Sequence, residues 1–136
     1  SLPWLPLTGR GLDIWPSDNI EMLRRLSRDP HMMSSVRVDL LAGVADIMDL
    51  ARVRAGDISV PTLLLSGMQD QVIPPKAVAA LDDQLSSLGL PDYHRCLYSE
   101  GYHMLLRDLN GPVVIEDIRR WVTDRTDRKN YSCTNN

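Results

Sequence analysis

Two stretches decide the fold of this chain: LLLSGMQD at residues 63–70 and LYSEGYHM at residues 97–104. Each is a short apolar run that ends in a glycine-containing turn. Each turn presents one acid–base residue, Asp70 in the first stretch and His103 in the second. The first run extends back to Val60 without alternation, which is typical of a strand covered on both faces of a parallel sheet. The two stretches therefore predict an α/β fold class.

Turn and helix signals complete a strand–helix–strand–helix order. Pro74-Pro75 begins a helix with an apolar face, and Gly89 is placed to cap its C-terminus. The second strand is predicted at His94–Tyr98, and Gly111-Pro112 begins the last helix. Two strands joined by a helix in this way form a right-handed parallel unit.

Two further helices are predicted before this unit. Ser17-Asp18-Asn19 are good N-cap residues for the first, which ends at Asp29-Pro30. The second runs from about Arg37 to Val53, and Gly43 within it costs about 1 kcal/mol relative to alanine, which indicates close packing there. Its apolar residues recur at helical spacing and predict a buried stripe: Leu40, Leu41, Val44, Ile47, Met48 and Ala51.

The chain divides into three parts. Residues 1–56 form a helical segment with an irregular start, in which proline and glycine recur too often for a helix or a central strand. Residues 57–124 form the α/β part. Residues 125–136 form a polar tail that we expect to be frayed.

Composition argues against several classes of function. The chain has 136 residues, 43% of them apolar and 24% charged, as in a soluble globular protein. A net charge of −3 with interspersed signs argues against nucleic acid as a partner. No apolar stretch approaches the ~20 residues that span a bilayer, so we predict no transmembrane segment. The histidines and carboxylates lack compact metal-ligand spacing, and we predict neither a metal nor a cofactor.

The two cysteines bear on location. Cys96 lies within an apolar run and Cys133 lies in the polar tail, a pattern that does not indicate a disulfide framework. We interpret Cys96 as a small buried hydrophobe rather than a thiol nucleophile. This cysteine usage predicts a reducing compartment and a cytoplasmic location.

Two parallel strands are too few for a stable sheet. The chain also begins at Ser1 with the segment SLPWLP, where a natural start would more often be polar and weakly ordered. We interpret the chain as a piece of a longer protein. Its expected partner is the missing N-terminal half of the same fold or, alternatively, further copies of itself in a homo-oligomer.

Asp70 and His103 both follow predicted strands, so both are expected at the carboxyl edge of the sheet, where catalytic groups collect in open α/β folds. There an aspartate can hold a histidine in one tautomer while the histidine moves a proton to and from a nucleophile. Taken alone, Asp70 is equally well explained as a turn or N-cap aspartate. His103 alone is better explained as a partly exposed turn histidine.

At these residues the chain resembles the α/β-hydrolases. PTLLLSGMQDQVIP at residues 61–74 is similar to their acid strand and loop, and EGYHML at residues 100–105 is similar to their histidine loop. The likeness is strongest to the lysophospholipase and monoacylglycerol lipase branch, which is related to serine aminopeptidases. Residues 17–51 resemble the helical cap of such bacterial enzymes. The resemblance implies the C-terminal part of an α/β-hydrolase fold, preceded by a cap segment.

The resemblance also implies residue roles. Asp70 is the triad acid and His103 the general base. The acyl-binding cleft would include Val72, Ile73 and Met104, in keeping with a lipid-like ester substrate. Further candidates in the cap are Met32, Met33 and Leu41, although core packing is the commoner role for any one of them.

The nucleophile is missing from the pattern. Such a hydrolase needs Gly-x-Ser-x-Gly at a strand-to-helix turn, and no serine here has both glycines; Ser87 and Ser99 lack the first. The first hypothesis is a portion of a serine hydrolase that cleaves lysophospholipids or monoacylglycerols, inert alone because its serine is elsewhere. The alternative is a non-catalytic, truncated relative that acts as a self-associating or interaction module.

Overall fold

The computed structural model describes residues 4–8, 11–33, 35–124 and 131–134. A 3-10 turn at Ala55–Asp57 connects the two parts of the chain. The helices and strands, in chain order, are β1 Pro6–Leu7, α1 Ile20–Leu26, β2 Val36–Arg37, α2 Val38–Arg54, β3 Thr62–Gly67, α3 Pro75–Ser87, β4 Tyr93–Tyr98 and α4 Gly111–Thr123. This order confirms the predicted helices and the predicted strand–helix–strand–helix unit. The antiparallel pair β1–β2 was not predicted, because strands of two residues carry no periodicity.

Strands β3 and β4 pair in parallel, as the sequence predicts. The register aligns Thr62 with Tyr93 and Gly67 with Tyr98. The ladder starts after Pro61, which has no backbone N–H to donate, and the Thr62 N–H donates to the Asp92 carbonyl at 3.0 Å. Because the strands are parallel and in register, their carboxyl ends emerge side by side, and the loops that follow them meet.

The core lies mainly on the α4 side of this sheet. Cys96 and Tyr98 of β4 are buried against Val114 of α4. On the α3 side, Leu85 is buried. All six residues of β3 nevertheless stay partly exposed, so the prediction that this strand is covered on both faces is wrong for the described part of the chain. The physical reason is that β4 alone pairs with β3 in this sheet, whereas a covered parallel sheet has several strands.

Helix α2 forms where it was predicted, but its apolar stripe is not buried. Each apolar residue that was expected to face a core is exposed, as are Met32 and Met33 before the helix. Gly43 has open space around it rather than a close packing partner. Both predictions were wrong because periodicity indicates which face of a helix is apolar, but not whether another element covers it. Among the described residues, no helix is long and apolar enough to cross a membrane.

The end of the described chain is packed, which overturns two predictions. Cys96 and Cys133 form a disulfide with a Cα–Cα distance of 5.8 Å, and both are buried. Asp117, fully buried in α4, accepts hydrogen bonds from the Tyr98 hydroxyl at 3.0 Å and from the Thr134 hydroxyl at 2.5 Å. Residues 131–134 are therefore not frayed; residues 125–130, 135 and 136 of the predicted tail lie outside the described residues. With Cys96 and Cys133 paired, the basis for predicting a reducing, cytoplasmic location is gone.

Reduction of this disulfide is expected to lower the free energy of unfolding by about 3–4 kcal/mol, because the bond closes a loop with a sequence separation of 37. Urea unfolding with and without dithiothreitol measures the difference. In Cys133→Ser, which cannot form the bond, the reductant should have no effect. Two free thiols in the intact mass of protein purified without reductant would contradict the pairing.

Candidate functional site

The loops that follow β3 and β4 are joined by backbone hydrogen bonds. The Met68 N–H donates to the Tyr98 carbonyl at 2.9 Å, and the Gln69 N–H donates to the Gly101 carbonyl at 2.9 Å. The Gln69 side chain adds a bond to the Ser99 carbonyl at 3.1 Å. These contacts carry the pairing of the strands into their turns, so Asp70 and His103 are placed by a continuous hydrogen-bonded frame.

This frame requires glycine where the two turns cross. A Cβ on Gly67 would lie 2.1 Å from the Gly101 carbonyl oxygen, and a Cβ on Gly101 would lie 2.5 Å from the Leu105 side chain. The obstacle to Gly67 is backbone, which cannot rotate away as a side chain can. Gly67 therefore serves the close approach of the two turns, whereas Gly101 makes room for Leu105.

Gly67→Ala is expected to lower the free energy of unfolding by about 3 kcal/mol, because the two turns must separate to admit the methyl group. Gly43→Ala is the matched control. Its methyl group meets open space in the middle of α2, so the same change should raise stability by about 0.5–1 kcal/mol through helix propensity. Chemical denaturation of both variants tests the pair, and equal effects of the same sign would contradict this packing.

Asp70 has partners for both carboxylate oxygens. Oδ1 accepts from the Val72 N–H at 2.7 Å and from the Ile73 N–H at 3.0 Å, while Oδ2 lies 3.1 Å from Nδ1 of His103. The side chain is 16% exposed, against 39% for His103. The two explanations of Asp70 are thus compatible: it organises the turn before α3 and it also contacts the histidine.

The surroundings of Asp70 favour its charged form. Burial alone would raise its pKa, but the hydrogen bonds from the Ile73 N–H, the His103 ring and the Val72 N–H outweigh burial and hold the pKa of this carboxyl below its ordinary value. Asp70 is therefore an anion at neutral pH, as a carboxylate that stabilises an imidazolium must be.

This lowered pKa predicts a loss of stability in acid. The stabilisation from ionised Asp70 is fully present above the unfolded pKa of about 3.9 and is lost as the pH falls through the lower folded pKa. The difference in unfolding free energy between the wild type and Asp70→Asn should therefore narrow as the pH falls below about 4. Urea unfolding across this range measures it, with Asp83→Asn on the exposed side of α3 as control. A difference that stays constant with pH would contradict the assignment.

His103 is held at one nitrogen. Contact of Nδ1 with a carboxylate favours the tautomer that carries the proton on Nδ1, which leaves Nε2 as the basic nitrogen of the neutral ring. In the part of the chain that the structure describes, no serine hydroxyl lies within hydrogen-bonding distance of His103. Ser66 lies within β3 with its hydroxyl buried, and Cys96 is consumed by the disulfide.

The residues before α1 hold the histidine loop from the other side, a feature that the sequence did not reveal. The Met104 N–H donates to the Pro16 carbonyl at 2.9 Å. The Ser17 hydroxyl donates to Asp108 Oδ1 at 2.6 Å, and Oδ2 of Asp108 accepts from the Tyr102 N–H at 2.8 Å. Of the three predicted N-cap residues, Ser17 thus makes a tertiary contact instead of the cap.

That cap is provided by Asn19, whose side chain accepts from the Met22 N–H at 3.1 Å. No local pattern indicates the contact between Ser17 and Asp108, since the two residues lie 91 positions apart.

The predicted substrate-binding residues lie in different places. Met104 lines an open, mostly apolar depression of about 410 Å³ together with His103. Ile73 lines a separate cavity of about 220 Å³ with Met68 and Val78. Val72 is exposed and reaches Asp70 through its backbone. The geometry therefore brings Met104 to the histidine, whereas Val72 and Ile73 serve the acid turn.

The same depression has further lining residues that sequence reasoning missed: Leu65, Leu105, Leu106 and Arg107. Three of them directly follow Met104 in the sequence, and this adjacency was the signal that could have identified them. Within the described ranges, no group of three or more His, Cys, Asp or Glu side chains is arranged to hold a metal ion.

Comparisons with known proteins show the family and the fold. The family model described as serine aminopeptidase, S33, matches residues 1–110. A monoacylglycerol lipase of Mycolicibacterium smegmatis is 26% identical over 118 residues, covering 79% of this chain and 41% of that protein. The crystal structure of a monoacylglycerol lipase from Paleococcus ferrophilus superposes with a TM-score of 0.73 at 29% identity, covering 88% of this chain and 46% of that one. The chain spans less than half the length of these relatives.

Proposed function

The chain belongs to the serine aminopeptidase S33 family and carries part of an α/β-hydrolase fold, and from this premise we propose that it bears the acid and the base of a Ser-His-Asp triad. The substrate class is a carboxylic ester of a lipid, a monoacylglycerol or a lysophospholipid. The serine nucleophile and the oxyanion hole come from the portion of the fold outside these residues. On its own the chain is inert towards esters.

One observation carries this proposal: Asp70 Oδ2 lies 3.1 Å from His103 Nδ1 where two parallel strands end. The turn before α3 needs only Oδ1 of Asp70, which leaves Oδ2 to orient the imidazole. The match to a hydrolase family supports this proposal over a non-catalytic module. The apolar depression beside His103 suits an acyl chain.

The chemistry follows from the pair. Nε2 of His103 takes the proton from the serine hydroxyl as the serine oxygen attacks the ester carbonyl, and returns it to the departing alcohol. Asp70 holds the ring through Nδ1 and stabilises the imidazolium that forms. Water then attacks the acyl-serine, with His103 again accepting the proton. No step calls for a cofactor or a metal.

The partner that we propose for the exposed sheet is the N-terminal half of the same fold. The partly exposed β3 strand requires neighbours, and the relatives have more than twice the aligned length of this chain. Met104 is the proposed cleft residue next to the base. Val72 and Ile73, whose backbone N–H groups bind Asp70, remain proposed residues of the acyl cleft.

A chimera tests the proposal. In it, residues 1–136 replace the corresponding part of the Mycolicibacterium smegmatis monoacylglycerol lipase, which supplies the rest of the fold. We expect the chimera to release fatty acid from a monoacylglycerol, and the isolated chain to release none. A folded chimera that hydrolyses neither a monoacylglycerol nor a lysophospholipid would contradict the proposed function, provided that the parent lipase is active in the same assay.

A further inference from the structure

We infer that Ser17 and Asp108 are positioning residues for His103: they hold the histidine loop so that the imidazole meets Asp70. The inference rests on the proposed function, because it assigns a role toward the base of that reaction. Neither residue contacts Asp70 or the ring of His103. Their effect is exerted through the backbone on either side of the histidine.

The peptide groups that flank His103 are both held. On one side, the Tyr102 N–H donates to Asp108 Oδ2 at 2.8 Å. On the other side, the Met104 N–H donates to the carbonyl of Pro16, the residue next to Ser17, at 2.9 Å. With both neighbours fixed, the histidine backbone cannot turn freely, and Asp108 together with the segment that precedes α1 sets the direction of the ring.

Burial makes this arrangement strict. Ser17 is fully buried and Asp108 is 5% exposed. Both oxygens of Asp108 are used, one by the Ser17 hydroxyl at 2.6 Å and the other by the Tyr102 N–H. A buried carboxyl group without these donors would lose its hydration with nothing to replace it, so alternative conformations of the loop that break these hydrogen bonds are disfavoured.

Two more hydrogen bonds link the segment before α1 to the segment after His103. The Leu109 N–H donates to Asp18 Oδ1 at 2.8 Å, and the Asn19 side chain donates to the Arg107 carbonyl at 3.0 Å. These two bonds lie further from His103 and are on the exposed side. They join the segments but do not touch the peptide groups next to the histidine, so we expect Ser17 and Asp108 to matter most for its orientation.

The test is the tautomer of His103, observed by ¹⁵N NMR of the 136-residue chain at a pH where the imidazole is neutral. In the wild type we expect separate Nδ1 and Nε2 resonances and a visible Nδ1–H proton, protected by Asp70. In Ser17→Ala and in Asp108→Asn we expect the Nδ1–H signal to disappear and the two nitrogen resonances to converge toward the average of free imidazole. Unchanged His103 resonances in both variants would overturn the inference.

Two controls separate positioning from folding. Ser87→Ala removes a serine hydroxyl that donates to the Gln84 carbonyl at the exposed end of α3, and should leave His103 unchanged. Trp121 of α4 donates its indole N–H to His94 of β4 at 3.3 Å. The indole resonance therefore reports whether α4 still packs on the sheet, and it should be unchanged in every variant. If Ser17→Ala shifts the indole as well, Asp108→Asn decides, because it keeps the size of the side chain and one acceptor.

Failure of the proposed function would look different. If the chimera hydrolyses no ester but the Nδ1–H signal of His103 still disappears in both variants, the positioning role stands and the proposed ester hydrolysis is wrong. If the chimera is active, Ser17→Ala and Asp108→Asn should lower kcat at least tenfold with little change in KM, since the loop orients the base rather than binding the acyl chain. An unchanged kcat in both variants would contradict the positioning role.

Discussion

His103→Ala in the chimera is expected to lower kcat for monoacylglycerol hydrolysis by about 10⁶-fold, the scale seen when the base of a Ser-His-Asp triad is removed. The reason is that His103 is the proposed base, and no other described imidazole contacts Asp70 and could replace it. Without His103 the serine stays protonated and attacks slowly. Fatty acid release over time, in saturating substrate, measures kcat.

The matched control for this prediction is His31→Ala. His31 is exposed in the turn after α1 and its backbone N–H bonds to Asp29 at 2.9 Å, so loss of its ring should leave kcat unchanged. Circular dichroism and the urea midpoint establish that both variants are folded. A folded His103→Ala chimera that retains a tenth or more of the activity would show that another residue is the base.

Asp70→Asn in the same chimera is expected to lower kcat by about 10⁴-fold, the effect of the equivalent change in serine proteases. The asparagine keeps an oxygen for the Val72 and Ile73 N–H groups, so the turn should survive. The atom that then faces Nδ1 is the amide nitrogen, which donates and cannot accept, so the asparagine favours the other tautomer and, being uncharged, does not stabilise the imidazolium. KM should change little because Asp70 does not line the apolar depression.

Asp83→Asn removes a carboxylate of the same kind from the exposed surface of α3 and should have no effect on kcat. Equal activities of Asp70→Asn and Asp83→Asn would contradict the assignment of Asp70 as the triad acid.

The α/β part could be predicted because its signals are local. An apolar run after Pro61 and a glycine at the turn predicted β3. Gly89 predicted the end of α3, and its φ of +61° is the left-handed conformation typical of a glycine that follows a helix. The juxtaposition of Asp70 and His103 followed from topology alone, since parallel strands end at one edge. What the sequence could not supply was the 3.1 Å contact itself.

Contacts between distant segments could not be predicted from one sequence. The disulfide joins a buried strand to a tail whose composition is polar, and the Ser17–Asp108 bond joins residues 91 positions apart. Neither has a local pattern. The predicted burial of the α2 stripe was wrong for another reason. The helical pattern was correct, but burial requires another element to pack against that face, and no described element does so.

We propose that His103 and Asp70 activate a serine that lies outside residues 1–136. The decisive measurement is the intact mass after exposure to a fluorophosphonate probe. We expect no adduct on the isolated chain, and one adduct on the chimera at a serine of the lipase portion, which is lost in His103→Ala. A stoichiometric adduct on a serine of the isolated chain, or labelling of the chimera that is unaffected by His103→Ala, would contradict it.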